Sequence, residues 1–378
     1  MIVREAMERR IRFWRRELPD QVLASLSVKF RSSGPTRWQQ YVQDHGLETE
    51  RAYDRPPLYE DLDVLFDLLE ARQGRPFDPS AEKAVHDDSV PLPVFTPTVH
   101  FGEGITGAFF GGELIFSSTD VKTESVCRPV VTDWQQLDAL RFDESNPWLQ
   151  RVLACLHCFV KRGQGRFALQ PYCTIDGLNF VVVLRGTTQA FLDVMTEEEN
   201  VRRLMELGFD MTVRYWRLQQ SIVEENNKAA IRHDEYAALC PVHAKPGLSV
   251  DAYGLCAPSV YERIGMEYTQ RLIDALDGGF LHVHSNGAHL LPIVGRLRGL
   301  TELKLADDPH CERYFPKLRA IRDATGDTPL QVTCTLEEFI AGLEDGSLPG
   351  GVYYMVQGRL DSVDEANRLV EKIRAYRA

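Results

Sequence analysis

The sequence has no unbroken apolar stretch approaching the roughly 18 residues that a bilayer-crossing helix needs. Its first residues also lack an apolar core ahead of a small-residue cleavage site. We therefore expect a cytoplasmic chain with no membrane association. Positive charge is short as well: 43 Lys+Arg stand against 55 Asp+Glu, a net of -12. No basic run is interleaved with aromatics, and the balance argues against nucleic acid as a partner. The cluster Arg9, Arg10, Arg12, Arg15 and Arg16 reads as one face of a surface helix. A phosphate-cradling glycine loop is missing too, because Gly102-Glu103-Gly104 and Gly163-Gln164-Gly165 are too short and badly placed. The eight cysteines are scattered, and only Cys155-Leu156-His157-Cys158 is a tight cluster. With no second cysteine pair it is half a zinc site at most, so it reads as the packing face of a helix. The remaining thiols are expected to be small buried apolar groups in a reducing compartment. Internal repeats and low-complexity tracts are absent.

What is present is 378 residues, 44% of them hydrophobic, enough for one large barrel or two smaller domains. Residues 1–88 read as a mainly helical N-terminal extension, with helical patterns over 4–16 and 58–70, a candidate strand over 23–30 between them, and a connector over 73–89. Residues 89–378 alternate. Extended apolar runs fall at 93–100, 166–172, 247–252, Gly279–His284, 301–306, 329–334 and 351–357, with helical runs between most of them. Capping boxes mark several helix starts: Thr132 with Gln135, Thr196 with Glu199, Thr335 with Glu338, and Ser362 with Glu365. Strand followed by helix, repeated, means a parallel sheet, and the early run brings the count to the eight that close a barrel. The expected fold class is therefore α/β, a (β/α)8 TIM barrel carrying the N-terminal extension, with an open doubly wound sheet as the alternative.

In such a barrel the reacting groups come from the C-terminal ends of the strands. Those ends supply His100, Tyr172, Asp176, Asp251, Tyr253, Cys256, His282, His284, Asp307 and Cys334. His282 and His284 are two apart on one strand and so share a face. Two readings compete. In one, His282, His284 and Cys334 bind zinc, which suits imidazole and thiolate ligands and leaves an open position for a nucleophile. In the other there is no metal, and His282, His284, Asp251 and Tyr253 carry out acid–base chemistry on an anionic or carbanion-like intermediate. His100, Tyr172, Asp176, Cys256 and Asp307 would line the substrate site. Asp307-Asp308-Pro309 also reads as a turn with a helix N-cap.

Three blocks in order, over 176–194, 251–258 and 282–287, resemble the uroporphyrinogen decarboxylase superfamily, a likeness that covers roughly residues 90–378. Asp176-Gly177-Leu178-Asn179-Phe180 through Leu184-Arg185-Gly186, then Phe191-Leu192-Asp193-Val194, is similar to its Gly-Pro…Leu-x-Gly…Asp-Leu block. Asp251-Ala252-Tyr253-Gly254-Leu255-Cys256-Ala257-Pro258 is similar to its Asp-Asp-x-x-x-Leu-Ser-Pro segment. His282-Val283-His284-Ser285-Asn286-Gly287 stands where the family carries His-x-Cys-Gly. The arginine motif that reads Met-Arg-Gln-Ala-Gly-Arg in the decarboxylases has no match here, which points to the methyltransferase branch. The resemblance implies a barrel, a zinc site, a corrinoid carried by a partner protein as methyl donor, a small-molecule substrate and a homodimer. A metal-free decarboxylase and a non-catalytic ligand-binding barrel are the other expectations.

Overall fold

The candidate strand grouped above with a helical extension forms over Val22–Ser25 and is built into the main sheet, and that single pairing organises the fold. The computed structural model describes residues 2–28, 94–95, 102–118, 123–165, 168–172, 175–230 and 245–378. In chain order the main elements are α1 (Ile2–Trp14), β1 (Val22–Ser25), β2 (Val94–Phe95), β3 (Leu114–Ser118), β4 (Thr123–Cys127), α2 (Pro147–Gly163), β5 (Ala168–Leu169), α3 (Gly177–Arg185), α4 (Thr187–Thr196) and α5 (Glu198–Ala230). They continue with β6 (Gly247–Ser249), α6 (Met266–Ala275), β7 (Gly279–His284), β8 (Leu300–Ala306), α7 (Leu318–Thr325), β9 (Leu330–Thr335), α8 (Leu336–Glu344), β10 (Val352–Gln357) and α9 (Val363–Ala375). The described residues divide into two compact units, one made of 2–28 with 245–378 and the other of 94–230. The expected boundary at residue 88 lies outside the described residues. The described part of the segment before it belongs to the unit that contains the C-terminal half.

In the first unit six parallel strands run in the order β1-β10-β9-β8-β7-β6. β1, the first strand, lies against β10, the last, with Val22 opposite Val352. A closed barrel joins the two ends of its chain by such a pairing. The alternation of apolar and polar residues sorts the two faces. On β9 Leu330, Val332 and Cys334 are buried, whereas Gln331, Thr333 and Thr335 are half-buried. The buried face packs under helices: the Phe339 ring of α8 meets Tyr354 of β10 at 5.3 Å. The helix α8 starts where the capping box predicts, Thr335 Oγ1 accepting from Glu338 N and Glu338 Oε2 accepting from Thr335 N.

α1 lies across the starts of the strands. Arg9 donates to the Val22 carbonyl and Arg16 to the Leu300 carbonyl, each at 2.7 Å, and Phe13, Trp14, Leu18 and Leu23 form a buried cluster against Tyr353. Arg10 is buried with its guanidinium 5.8 Å from the Tyr353 ring. The cluster is a surface face in part: Arg12, Arg15 and Arg16 are exposed, whereas Arg9 is half-buried and Arg10 buried. Three of its members serve carbonyls and rings at the lower edge of the sheet, where strand-end acceptors need donors.

In the second unit β2 and β5 pair in parallel, and β3 and β4 form an antiparallel hairpin that the strand–helix alternation does not predict. The long helix α5 secures the chain around β5 with side-chain amides. Asn227 accepts from Leu169 N at 2.7 Å and donates to Leu169 O at 2.9 Å, and Gln219 does the same for Tyr172 at 2.7 and 3.1 Å. Each amide presents a donor and an acceptor side by side, the pattern that a neighbouring strand would offer. Cys155 is buried and Cys158 half-buried on α2. Among the described residues no helix is long and apolar enough to cross a membrane.

Candidate active site at the end of β7

β7 presents Phe280, His282 and His284 on one face and fully buried Leu281 and Val283 on the other. The two imidazole centroids are 4.4 Å apart, as same-face neighbours on one strand should be. Beyond His284 the backbone turns through Ser285–Leu290, and Gly287 comes so close to Gly254, after β6, that a Cβ on Gly254 would lie 3.2 Å from the Gly287 Cα. That approach brings the loops after β6 and β7 into contact, with glycines where side chains would separate them.

His284 sits between two carboxylates. Its Nδ1 is 2.6 Å from Asp308 Oδ1, and its Nε2 is 3.9 Å from Asp251 Oδ1. Asp308 is fixed in turn: its Oδ2 accepts from Ser285 Oγ at 3.3 Å and Asn286 N at 3.2 Å, and its own N donates to Ser285 Oγ at 2.8 Å. Tyr314 donates its hydroxyl to the His284 carbonyl at 2.7 Å. Burial pushes the Asp308 carboxyl up, but hydrogen bonds from His284, Asn286 and Ser285 outweigh it and hold the group below the ordinary carboxylate range. An ionised Asp308 calls for a proton on His284 Nδ1, so in the neutral ring the lone pair is on Nε2. The oxygen that faces that lone pair, Asp251 Oδ1, is buried without a hydrogen-bond partner.

His282 behaves differently. Burial first, then the neighbouring His284 and Lys304, lower it to about 4, against the pull of Asp251 and Asp308. It is therefore a neutral imidazole at pH 7, and its Nε2 is buried without a partner. The register places Lys304 of β8 opposite His282 and Ala306 opposite His284. Glu302, two residues before Lys304, is fully buried with neither carboxyl oxygen hydrogen-bonded. Burial pushes it up to about 8, with Lys304 pulling the other way.

Of the residues expected at the site, His282, His284 and Asp251 come together. Asp307 does not join them. It accepts from Tyr314 N and from Arg313 Nε, and Arg313 forks onto Glu338 of α8 at 2.8 and 2.9 Å. Asp307 is thus part of a clasp between loop and helix, and the carboxylate that reaches the imidazole is Asp308. Alternation explains this: Lys304, Ala306 and Asp308 share the histidine face, and Asp307 falls between. Tyr253 is buried, its ring 4.9 Å from that of Tyr261 and beside Gly265. Cys256 is half-buried, its thiol 3.7 Å from the Ala252 carbonyl, and burial raises its pKa. His289 donates to the Cys256 carbonyl at 3.1 Å. Tyr172 and the buried Asp176 belong to the second unit, Asp176 just ahead of α3. His100 lies outside the described residues.

Cys334 is the expectation that the sheet overturns. Lys304 is opposite Gln331, so Gln331, Thr333 and Thr335 of β9 share the histidine face and Cys334 is on the other. There it is fully buried, and burial, with Glu338 adding to it, pushes the thiol up to about 12. A thiol on the far side of a sheet is no partner for two imidazoles in binding zinc. Among the described residues no group of three or more His, Cys, Asp or Glu side chains is arranged to hold a metal ion. The donor set implied by the resemblance does not fit.

No family model matches the sequence, and no curated protein matches it. Among solved structures the chain is similar to a methyltransferase from Methanosarcina mazei, with 10% identity, a TM-score of 0.56 and 98% of each chain covered. A likeness at that identity speaks to the fold, and it runs the length of both chains. The chain has an α/β fold that it shares with a methyltransferase of the TIM-barrel type.

Proposed function

We propose that the chain is an enzyme that transfers a methyl group to a small protic acceptor, with His284 as the base that takes the acceptor's proton. The observation that carries this reading is the Asp308–His284 pair, 2.6 Å apart, at the C-terminal end of β7, where barrel enzymes of this architecture keep their reacting groups. The whole-length likeness to a methyltransferase supports the reaction class. The acceptor X–H gives its proton to His284 Nε2 while the electron pair on X forms the new bond to the methyl carbon. The bond from that carbon to the donor breaks, and its electron pair leaves with the donor. The resulting imidazolium lies between Asp308 and Asp251, which stabilise its charge. A neutral His282 beside it adds no like charge. The donor we propose is a corrinoid presented by a partner protein, and the assembly a homodimer, as the sequence resemblance suggests.

The test uses free methylcobalamin with a small thiol, amine or phenol as acceptor. Demethylation is followed by absorbance and the methylated product by mass spectrometry. His284→Asn is expected to slow the wild-type rate by about 100-fold or more. No methylated product above the uncatalysed rate, with any of the three acceptors, overturns the proposal. A second reading, a decarboxylating lyase with His284 as proton donor, draws support from the misplaced Cys334. Carbon dioxide release from a carboxylated substrate without methylated product would select it.

A further inference from the structure

Lys304 has a setting that the methyl-transfer reading leaves unexplained. It is half-buried on β8, opposite His282 in the register and on the same face. Among the described residues it makes no hydrogen bond and no ion pair. An ammonium partly withdrawn from water needs a counter-charge, because desolvation disfavours the charged form.

The surrounding elements do not supply one. On its own strand the carboxyl of Glu302 is fully buried, and burial keeps it protonated at pH 7. From the loop after β8, Asp308 is engaged by His284, Ser285 and Asn286. From the end of β6, Asp251 faces His284 Nε2. From β9, the residues on this face are Gln331 and Thr333, which are neutral. Beside Lys304, His282 has a buried Nε2 without a partner. An unpaired cation and an unsatisfied ring nitrogen therefore sit side by side, with two carboxylates further along the same face.

We propose that Lys304 is the specificity-determining residue of this site and binds the single carboxylate of a small monoanionic acceptor, with His282 hydrogen-bonding the second carboxylate oxygen. One cation near two aspartates suits a single negative charge. A phosphate dianion would meet Asp251 and Asp308 with twice the repulsion. The proposal rests on the methyl-transfer reading for the word acceptor, but its test requires no turnover.

Propionate, propionamide and methyl phosphate are titrated into the full chain at pH 7.5 and low salt, with binding followed by ligand-observed NMR. The same series is run on Lys304→Gln and Lys304→Arg. A charge-assisted contact predicts that wild type prefers propionate to its isosteric amide by about tenfold or more, and prefers it to methyl phosphate. The preference should vanish in Lys304→Gln and survive in part in Lys304→Arg. Equal binding of propionate and propionamide to wild type, or a preference that persists in Lys304→Gln, overturns the proposal. Protection of Lys304 from reductive methylation by propionate, read by mass spectrometry on wild type, decides the matter if Lys304→Gln does not fold. Carboxylate selectivity without any methyl transfer would sink the transfer reading alone. Transfer to neutral acceptors without carboxylate selectivity would sink this proposal alone.

Discussion

Replacing Glu302 by glutamine should make the protein more stable at neutral pH and remove part of its sensitivity to alkali. Glu302 is fully buried on β8, and its carboxyl rises from the 4.5 of an ordinary glutamate to about 8. Between those pH values the unfolded chain has released the proton and the folded chain still holds it. A folded-state pKa above the unfolded one gives stability that is complete below pH 4.5 and is lost as pH rises towards 8. At 1.36 kcal/mol for each pH unit, the loss is roughly 3 kcal/mol by pH 7 and about 4 kcal/mol by pH 8, where the folded group is half ionised. His282 works in the opposite direction: its pKa is lowered to about 4, so it costs stability as pH falls from 6.5. The clean window is therefore pH 6.5 to 8, where Glu302 alone of these two should remove about 2 kcal/mol. Glutamine keeps the shape and has no proton to lose. Urea unfolding of both proteins across that window gives the comparison. The variant should gain about 2 kcal/mol relative to wild type between the two ends. Parallel stability curves for the two proteins would mean that Glu302 is ionised in the folded state, and would refute the reasoning.

Asp308→Asn should leave the ring of His284 in place but release its tautomer, lowering methyl transfer by about 100-fold or more; ring nitrogen shifts that still show an Nδ1 proton would count against it. Cys334→Ala should cost roughly 1 kcal/mol of stability through lost packing and leave bound metal unchanged; a stoichiometric zinc that disappears with the sulfur would contradict the register argument. Asn227→Ala should remove the two hydrogen bonds that the amide makes to Leu169 and cost about 2 kcal/mol, read by urea unfolding and by faster exchange of the Leu169 amide. A cost under 1 kcal/mol would show that the amide does not substitute for a neighbouring strand.

The strands over 247–252, Gly279–His284, 301–306, 329–334 and 351–357 were legible because each is an apolar run closed by turn residues, and all five have counterparts in β6 to β10. The antiparallel pair β3–β4 escaped because a search for strand followed by helix passes over two consecutive strands. Among the caps, Thr335–Glu338 formed as read, whereas at the first site, Thr132 with Gln135, the box shifted by one residue to Asp133 with Gln136. Thr196 is no cap: it ends α4, and its hydroxyl bonds back to the Leu192 carbonyl. Side-chain spacing on β7 was enough to pair the imidazoles, since alternation within one strand is local. Which residues of other strands join them depends on register, which a single strand does not carry. The signal that could have helped was the polar alternation in β9, where Cys334 keeps company with Leu330 and Val332. Just past β8 the same parity selects Asp308 over Asp307.

Because β1 is held by β10, one edge of the sheet has nothing to bond until some 330 residues later have been made. At a synthesis rate of about 5–20 residues per second that interval is roughly 15–65 s. Through it the nascent chain carries Val22-Leu23-Ala24 as a bare, apolar edge, the kind of surface that recruits the wrong neighbour. A holding chaperone at the ribosome exit would meet its need more directly than a faster-folding core. A circular permutant that joins the chain after α9 to α1 by a short linker would make the contact local and relieve the wait.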